Sequence, residues 1–348
     1  MQPFAPRLLR WFETNRRDLP WRRTRDPWAI WVSEVMLQQT RVEAVRAPYE
    51  RFLVRFPTPA AFAGATDDEL LAAWRGLGYY RRARLLREGA RQVVAGHGGQ
   101  VPDNRVALAE LPGIGAYTLG AVASIAFGLR EVAIDGNVER VMARHRGLLE
   151  SMDTAAARRQ VREIVTAWLP AERPGDFNQA LMELGATVCK PGTPDCGHCP
   201  LAADCVALAK GLTAVLPVRK APRTAVDVQA RVILVTNRGQ ALGHRLAVTE
   251  ANAGQIELPG GGMLNSCDAD DLAGALRRLF DTRAVVGPEI TTVRHAITHH
   301  RITLHAHAAT LRTQGRLRWF PLDEATPWTT PSRKVFRSTL SSDTTRQA

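Results

Sequence analysis

Lysine is nearly missing from this chain. Of its 46 basic residues only Lys190, Lys210, Lys220 and Lys334 are lysines, and none stands before position 190. Genomic base composition accounts for such an arginine bias as readily as function does. Long apolar runs are missing too. Nothing approaches the roughly 20 residues of a membrane-spanning helix, and Met1 to Arg10 hold no apolar stretch of signal-peptide type. A soluble, cytoplasmic protein is expected. Cysteine is sparse, with five residues in 348, and a reducing compartment argues against structural disulfides. Yet four of the five crowd into the 17 residues from Cys189 to Cys205, which points to a metal.

What is present sets the class. A length of 348 residues suggests two domains. A hydrophobic content of 45% supports packed cores and excludes wholesale disorder. The formal net charge of +12 suits a polyanionic partner. Residues 1–212 read as helical. The segment Pro27 to Leu37 carries apolar residues at helical spacing, and Asp67-Asp68-Glu69 leads the apolar Leu70 to Trp74. Arg81 to Val94 and Thr154 to Leu169 repeat the pattern, with arginines on the wet face. Residues 213–226 alternate proline with basic residues and read as a linker. Beyond it the pattern turns to strands, at Val226 to Val235 and Arg301 to Leu311, with a helix at Leu272 to Phe280 between them. Residues 227–345 therefore form a second domain. Both halves are basic, with 28 basic against 23 acidic residues up to position 212 and 18 against 11 beyond it.

The cysteines are spaced Cys189-x6-Cys196-x2-Cys199-x5-Cys205. Zinc favours two Cys-x-x-Cys knuckles, and only one is present. An iron–sulfur cube is wider and tolerates uneven spacing. Four buried thiols without metal are the bland alternative. Cys267 lies far from the others and reads as a small core residue. Leu111-Pro112-Gly113-Ile114-Gly115 precedes the apolar stretch Ala116 to Phe127. Two glycines allow a tight turn that bares backbone amides at a helix start, an anion site. An ordinary helix–turn–helix connection fits the same residues.

Two carboxylates stand in unusual places. Glu34 sits in Ala-Ile-Trp-Val-Ser-Glu-Val-Met-Leu, an apolar helix. Burial there would raise its pKa and keep it protonated near neutrality, as a general acid requires; a solvated edge position is the alternative. Asp135, in Val-Ala-Ile-Asp-Gly-Asn-Val, reads first as a helix N-cap. A capping carboxylate stays ionised and also suits a developing cation. Two carboxyls with different protonation are the arrangement used in glycosidic cleavage.

Seven motifs then occur in order. They are Leu19-Pro20-Trp21-Arg22, Ser33-Glu34-Val35-Met36-Leu37-Gln38-Gln39-Thr40, Gly76-Leu77-Gly78-Tyr79-Tyr80, the Leu111 to Gly115 hairpin, Asp135-Gly136-Asn137-Val138, Phe177 to Gly185, and the 6-2-5 cysteines. Together they resemble the MutY-type adenine DNA glycosylases of the helix–hairpin–helix, iron–sulfur glycosylase superfamily. The resemblance implies a mainly α catalytic region followed by a C-terminal α+β MutT/Nudix-like domain. It implies a monofunctional enzyme that flips adenine out of A:8-oxoguanine or A:G mispairs in double-stranded DNA, acts as a monomer and lies near the nucleoid.

By that pattern Glu34 protonates the base. Asp135 stabilises the oxocarbenium-like sugar, as counter-ion or as nucleophile, and Tyr117 and Asn137 assist. Arg17, Leu19, Trp21, Arg22 and Glu183 match the adenine pocket; Leu19 and Trp21 read by themselves as core. Gln38, Gln39, Leu77 and Tyr79 match residues in or beside the base stack. Gly113 and Gly115 would hold a backbone phosphate, and Cys189, Cys196, Cys199 and Cys205 a 4Fe-4S cluster. The related endonuclease III type carries a nucleophilic lysine where this chain has Tyr117. With no lysine before position 190, an amine-based strand cleavage is hard to build.

Glu257-Leu258-Pro259-Gly260-Gly261-Gly262 resembles the entry to a MutT-like fold. Where the hydrolases place metal-binding glutamates, this chain reads Leu276-Arg277-Arg278-Leu279-Phe280-Asp281. The domain should bind rather than hydrolyse. The family's Phe-Ser-His recognition loop is here Ile297-Thr298-His299, which assigns lesion reading to Thr298 and His299 while losing an aromatic ring. A histidine-rich strand face rather than a metal site is the bland alternative for His295, His299, His300, His305 and His307, and it is the preferred reading for His300, His305 and His307.

Overall fold

A helix that is apolar on every side must be buried on every side. In the computed structural model that helix is Pro27–Leu37, with every residue from Trp28 to Met36 buried. Its start is fixed locally: Asp26 caps it, accepting from the Trp28 amide, and Pro27 stands where its missing N–H costs nothing. The structure describes residues 4–219, 224–247, 250, 252–268 and 270–344.

In chain order the helices begin with α1 (Phe4–Asn15), α2 (Pro27–Leu37), α3 (Val42–Arg55), α4 (Pro59–Ala63), α5 (Asp67–Ala73) and α6 (Arg81–Gly96). They continue with α7 (Arg105–Glu110), α8 (Ala116–Phe127), α9 (Gly136–Arg146), α10 (Ala155–Trp168), α11 (Pro174–Thr187) and α12 (Val206–Ala209). The chain separates into two compact units, Met1–Ala65 with Arg82–Ala221, and Thr66–Arg81 with Pro222–Ala348. The first is helical, as its sequence periodicity predicts. At its centre α2 packs on α8, itself buried from Thr118 to Ile125. A second core gathers Leu8 and Phe12 of α1, Val138 and Met142 of α9, Val161 of α10 and Phe177 and Leu181 of α11.

The stretch read as a linker begins inside this unit. Leu216 is buried, its carbonyl accepts from Arg144 at 2.8 Å, and the Val218 carbonyl accepts from the Met152 amide at 3.1 Å. These long-range hydrogen bonds hold the first half of the stretch.

The second unit takes α5, the Gly76 to Tyr80 stretch and an α+β body. Its strands are β1 (Val226–Leu234), β2 (Thr236–Asn237), β3 (Gln240–Arg245), β4 (Ile256–Glu257), β5 (Arg283–Ile297), β6 (His300–Thr313) and β7 (Arg318–Pro321), with helices α13 (Leu272–Phe280) and α14 (Thr330–Thr344). One sheet runs β1-β6-β5, with β1 parallel to β6 and β5 antiparallel to it. The other runs β2-β3-β4, with β7 also on β3. Ile302, Leu304 and Ala306 of β6 face one core with Val228, Ala230 and Val232 of β1, while Ile233 faces α13. That alternation is the period of two expected of a strand. β5, which the sequence reading did not pick out, bends through register shifts between Val286 and Thr291 around Gly287-Pro288. A bulged strand breaks the alternation that would reveal it.

Candidate active site

One cleft of about 910 Å³ in the first unit collects most of the residues singled out from the sequence. Arg17, Leu19, Trp21, Arg22, Glu34, Gln38, Gln39, Gly113, Gly115, Tyr117, Asp135, Asn137 and Glu183 all line it. They arrive from the segment between α1 and α2, from α2 and the residues just after it, the hairpin, α8, the start of α9 and α11.

Glu34 is buried at 5% exposure. Burial pushes its carboxyl up to about 7, the Asp135 charge adds to that, and the Tyr117 bond and the Arg22 charge oppose it. The Tyr117 hydroxyl donates to Glu34 Oε2 at 2.5 Å. Burial, with Glu34 next, holds the Tyr117 phenol well above its usual range, so it remains a donor. Tyr117 occupies the first turn of α8, which Gly115 enters as an N-cap without any side-chain cap. Gly113 before it has φ +82, and a Cβ there would lie 3.0 Å from Leu85 Cβ. The turn thus needs glycine for conformation and for space.

Asp135 is the N-cap of α9, as its local sequence predicts. Its Oδ1 accepts from the Asn137 and Val138 amides at 2.9 and 2.8 Å, and Oδ2 from Asn137 Nδ2 at 2.8 Å. Three donors hold one carboxylate in place. Buried Asn178 anchors the preceding segment, accepting from the Ala133 amide and donating to the Glu131 carbonyl. From the other side Arg140 donates to Asn137 Oδ1 at 2.7 Å, to the Gly185 carbonyl at 2.9 Å and to the Cys189 carbonyl at 2.8 Å. Helix α11 can approach this closely only because position 185 is glycine: a Cβ would lie 2.6 Å from Asn137 Cβ.

Glu183 has no exposed side-chain surface. Arg17 donates to it through its main-chain N and Nε at 2.9 Å and through Nη2 at 2.8 Å, and Arg22 Nη2 does so at 2.8 Å. Burial alone would raise its pKa; the two guanidiniums reverse that and hold it at about 2. Leu19 and Trp21 are both buried, and both line the cleft. Gln38 donates to Thr118 at 3.2 Å, and Gln39 has φ +56. Arg82 satisfies the end of α2, bonding the carbonyls of Val35, Met36 and Gln38.

The four cysteines line a second, smaller cavity together with Val188, Pro194, Leu208 and Arg144. Sulfur donors with apolar walls fit a soft metal centre. Arg144, buried at 3% exposure, donates to the Lys190 carbonyl at 2.8 Å and the Gly192 carbonyl at 3.3 Å, with Nη1 3.5 Å from Cys189 Sγ. Burial pushes the Cys199 thiol up to about 11.

Arg140, Arg144 and Asn178 were not singled out from the sequence. For Arg144 the signal is an arginine inside the buried stripe Val141 to His145 of α9.

The remaining candidates lie in the second unit. Leu77 is buried and Tyr79 is 51% exposed with φ +47. Thr298 and His299 form the turn between β5 and β6, where Ile297 pairs with His300. Thr298 is exposed, has φ +55 and donates to the Ile297 carbonyl. His305 bonds Glu289 and Gln229, each at 2.9 Å. Cys267 is buried, as expected. Glu257, at the head of the glycine run, is also buried, which pushes its carboxyl up to about 7.

Residues 32–167 match the family model described as HhH-GPD superfamily base excision DNA repair protein. A solved thermostable thymine-DNA glycosylase is 32% identical, with a TM-score of 0.54 over 60% of this chain and 95% of that one. The chain belongs to the HhH-GPD superfamily. An endonuclease III solved in a non-covalent complex with DNA is 26% identical, with a TM-score of 0.52 over 60% of this chain and 94% of its own. Among curated proteins the adenine DNA glycosylase of Rattus norvegicus is 45% identical over 211 residues, 58% of this chain. The match spans only 41% of the length of that relative. Residues 32–167, the HhH-GPD match, contain Glu34, the hairpin, Tyr117 and Asp135. Among the described residues no helix is long and apolar enough to cross a membrane.

Proposed function

We propose that this protein is a monofunctional adenine DNA glycosylase of the MutY type, acting on A:8-oxoguanine and A:G mispairs in duplex DNA. One observation carries the reading: a buried carboxyl held at about 7 shares a cleft with a carboxylate fixed by three donors. The curated relative named adenine DNA glycosylase and the DNA-bound neighbour support base and substrate.

The adenine, flipped out of the stack, enters the cleft beside Arg17, Arg22 and Glu183. Protonated Glu34 gives its proton to a ring nitrogen of the base. Tyr117 donates to Oε2, which leaves Oε1 to carry that proton toward the cleft. The bond from C1′ to the base then breaks, its electron pair leaving with the protonated adenine. The positive sugar left behind faces ionised Asp135, which Asn137 and two backbone amides keep oriented. Glu34, now ionised, accepts a proton from the water that adds to C1′. The products are adenine and an abasic site. Tyr117 stands in the helix after the hairpin, and the chain has no lysine before position 190, so the strand stays intact.

The hairpin amides at Gly113 and Gly115 supply a seat for a backbone phosphate. Cys189, Cys196, Cys199 and Cys205 would hold a 4Fe-4S cluster. They converge on one cavity, yet among the described residues no three His, Cys, Asp or Glu side chains are placed to hold a single metal ion. The spacing, with a single Cys-x-x-Cys pair among four cysteines, would suit an iron–sulfur cube better than zinc. Arg140 and Arg144 grip this loop through the Cys189, Lys190 and Gly192 carbonyls, and a bound cluster would supply structural order there. The second unit, as a MutT/Nudix-like domain, presents Thr298 and His299 to the 8-oxoguanine strand.

Product analysis on strand-labelled duplexes tests the reading. Free adenine and an intact strand carrying an alkali-labile site are expected from A opposite 8-oxoguanine, and more slowly from A opposite G. Release of a pyrimidine, or a covalent adduct trapped by borohydride, would overturn it.

A further inference from the structure

The second unit carries a basic cleft outside the candidate active site and the Thr298–His299 turn. It measures about 560 Å³ and is lined by Arg294 and His295 of β5, Arg301 and Thr303 of β6, Asp227 of β1 and Lys334 of α14. We propose that this cleft seats a backbone phosphate of duplex DNA beside the β5–β6 turn. The occupant follows from the DNA-repair reading; the site itself follows from the charges.

Three cations meet one anion here. Arg301 and Asp227 neutralise each other through two bonds of 2.8 Å. Lys334 Nζ donates to the Arg294 carbonyl at 2.7 Å, a neutral acceptor that leaves its charge unmatched. Neither Lys334 nor Arg294 has a carboxylate partner among the described residues. Two cations without a carboxylate partner therefore line one concave surface, where a polyanion would find unmatched positive charge.

The form of the cleft selects the anion. Arg294, Arg301 and Lys334 are all exposed. A small free phosphate needs an enclosed nest of fixed donors for tight capture. Long exposed side chains across an open cleft instead gain by displacing condensed counter-ions from a polyanion. Arg294 precedes Thr298 by four residues, about 13 Å along a strand at ~3.3 Å per residue. A strand read by the Thr298 turn would pass its flanking phosphates over Arg294 and Lys334.

The full-length protein supplies the test. Binding to an undamaged duplex and to an A:8-oxoguanine duplex is measured by fluorescence anisotropy between 50 and 200 mM KCl. Lys334→Gln, Arg294→Gln, the double variant and Lys334→Arg are compared with wild type. Each single neutralisation should flatten the slope of log K against log salt by about 1, equally on both duplexes. Lys334→Arg should keep the wild-type slope. Lys334 is exposed, so melting temperatures should not move. Lysine acetylation adds a second readout: with four lysines in the chain, protection of Lys334 by undamaged duplex is read directly by mass spectrometry.

An unchanged slope in the folded double variant would overturn the proposal. So would sub-millimolar binding of inorganic phosphate or a mononucleotide at the cleft with the DNA slope unaltered, which would mark a free-anion site. Failure to release adenine would instead sink the catalytic reading, and the slopes on undamaged DNA would still decide this one.

Discussion

Replacing Glu34 with glutamine keeps the side chain's shape and takes away its acid proton. Two consequences follow from the same burial. A positioned general acid contributes ~10²–10⁴ in rate, so single-turnover adenine release by Glu34→Gln should fall by at least about a hundredfold. The wild-type rate should be level below pH ~7 and fall tenfold per pH unit above it, as Glu34, held at about 7, loses its proton. Stability should move as well. The folded state holds the Glu34 proton more tightly than the unfolded chain, so this contribution is complete at low pH and is lost as pH rises through about 7. Raising a carboxyl from 4.5 to about 7 amounts to roughly 3 kcal/mol at 1.36 kcal/mol per pH unit. Urea unfolding of wild type and Glu34→Gln at pH 5 and pH 8 should therefore diverge, with the variant gaining about 2–3 kcal/mol relative to wild type at the higher pH. A variant that releases adenine normally, or a stability difference that does not vary with pH, would refute the reasoning.

Arg140→Leu leaves Asn137 Oδ1 and two carbonyls without their donor, so adenine release should fall at least tenfold; Arg140→Lys should rescue part of the rate, and a pH profile identical to wild type would show that Glu34 is undisturbed. Arg144→Leu strips donors from the Lys190, Gly192 and Leu216 carbonyls around the cysteine loop; the visible absorbance expected of an iron–sulfur chromophore should then be lost faster on incubation with chelator, and equal retention would argue against that grip. His145 is buried between Phe4 and Trp168, with ring centroids 5.1 and 5.5 Å away and no partner for either nitrogen among the described residues. Burial holds it at about 4. Protonation therefore favours the unfolded chain, and stability is lost as pH falls from ~6.5 toward 4, by up to roughly 3 kcal/mol. His145→Leu should flatten that acid limb in chemical denaturation.

Local chemistry made much of the molecule legible. α2, α8 and α13 fall where apolar spacing and caps place them, because Asp26-Pro27 and the hairpin glycines act within a few residues of their own position. Asp135 as an N-cap was readable for the same reason. The two-residue turn at Thr298 was marked by the motif. Where strands pair across long separations the reading thinned: β5 carries bulges that hide its period, and β3, β4 and β7 are too short for a pattern to show.

The sequence by itself determined the capped and strongly periodic helices, the order of the motifs and the residue types available for acid, counter-ion and metal, since capping, periodicity and spacing are set within one or two turns of chain. Only the tertiary structure decided what those residues are. A glutamate becomes a protonated acid when α8 closes over α2 and removes water from Glu34. Glu183 becomes a fixed carboxylate when two arginines from far upstream in the chain reach it. Arg140 becomes a bridge between Asp135's support and the cysteine loop when α11 presses on α9. Desolvation and ion pairing depend on neighbours more than 80 residues distant, and no local pattern encodes them.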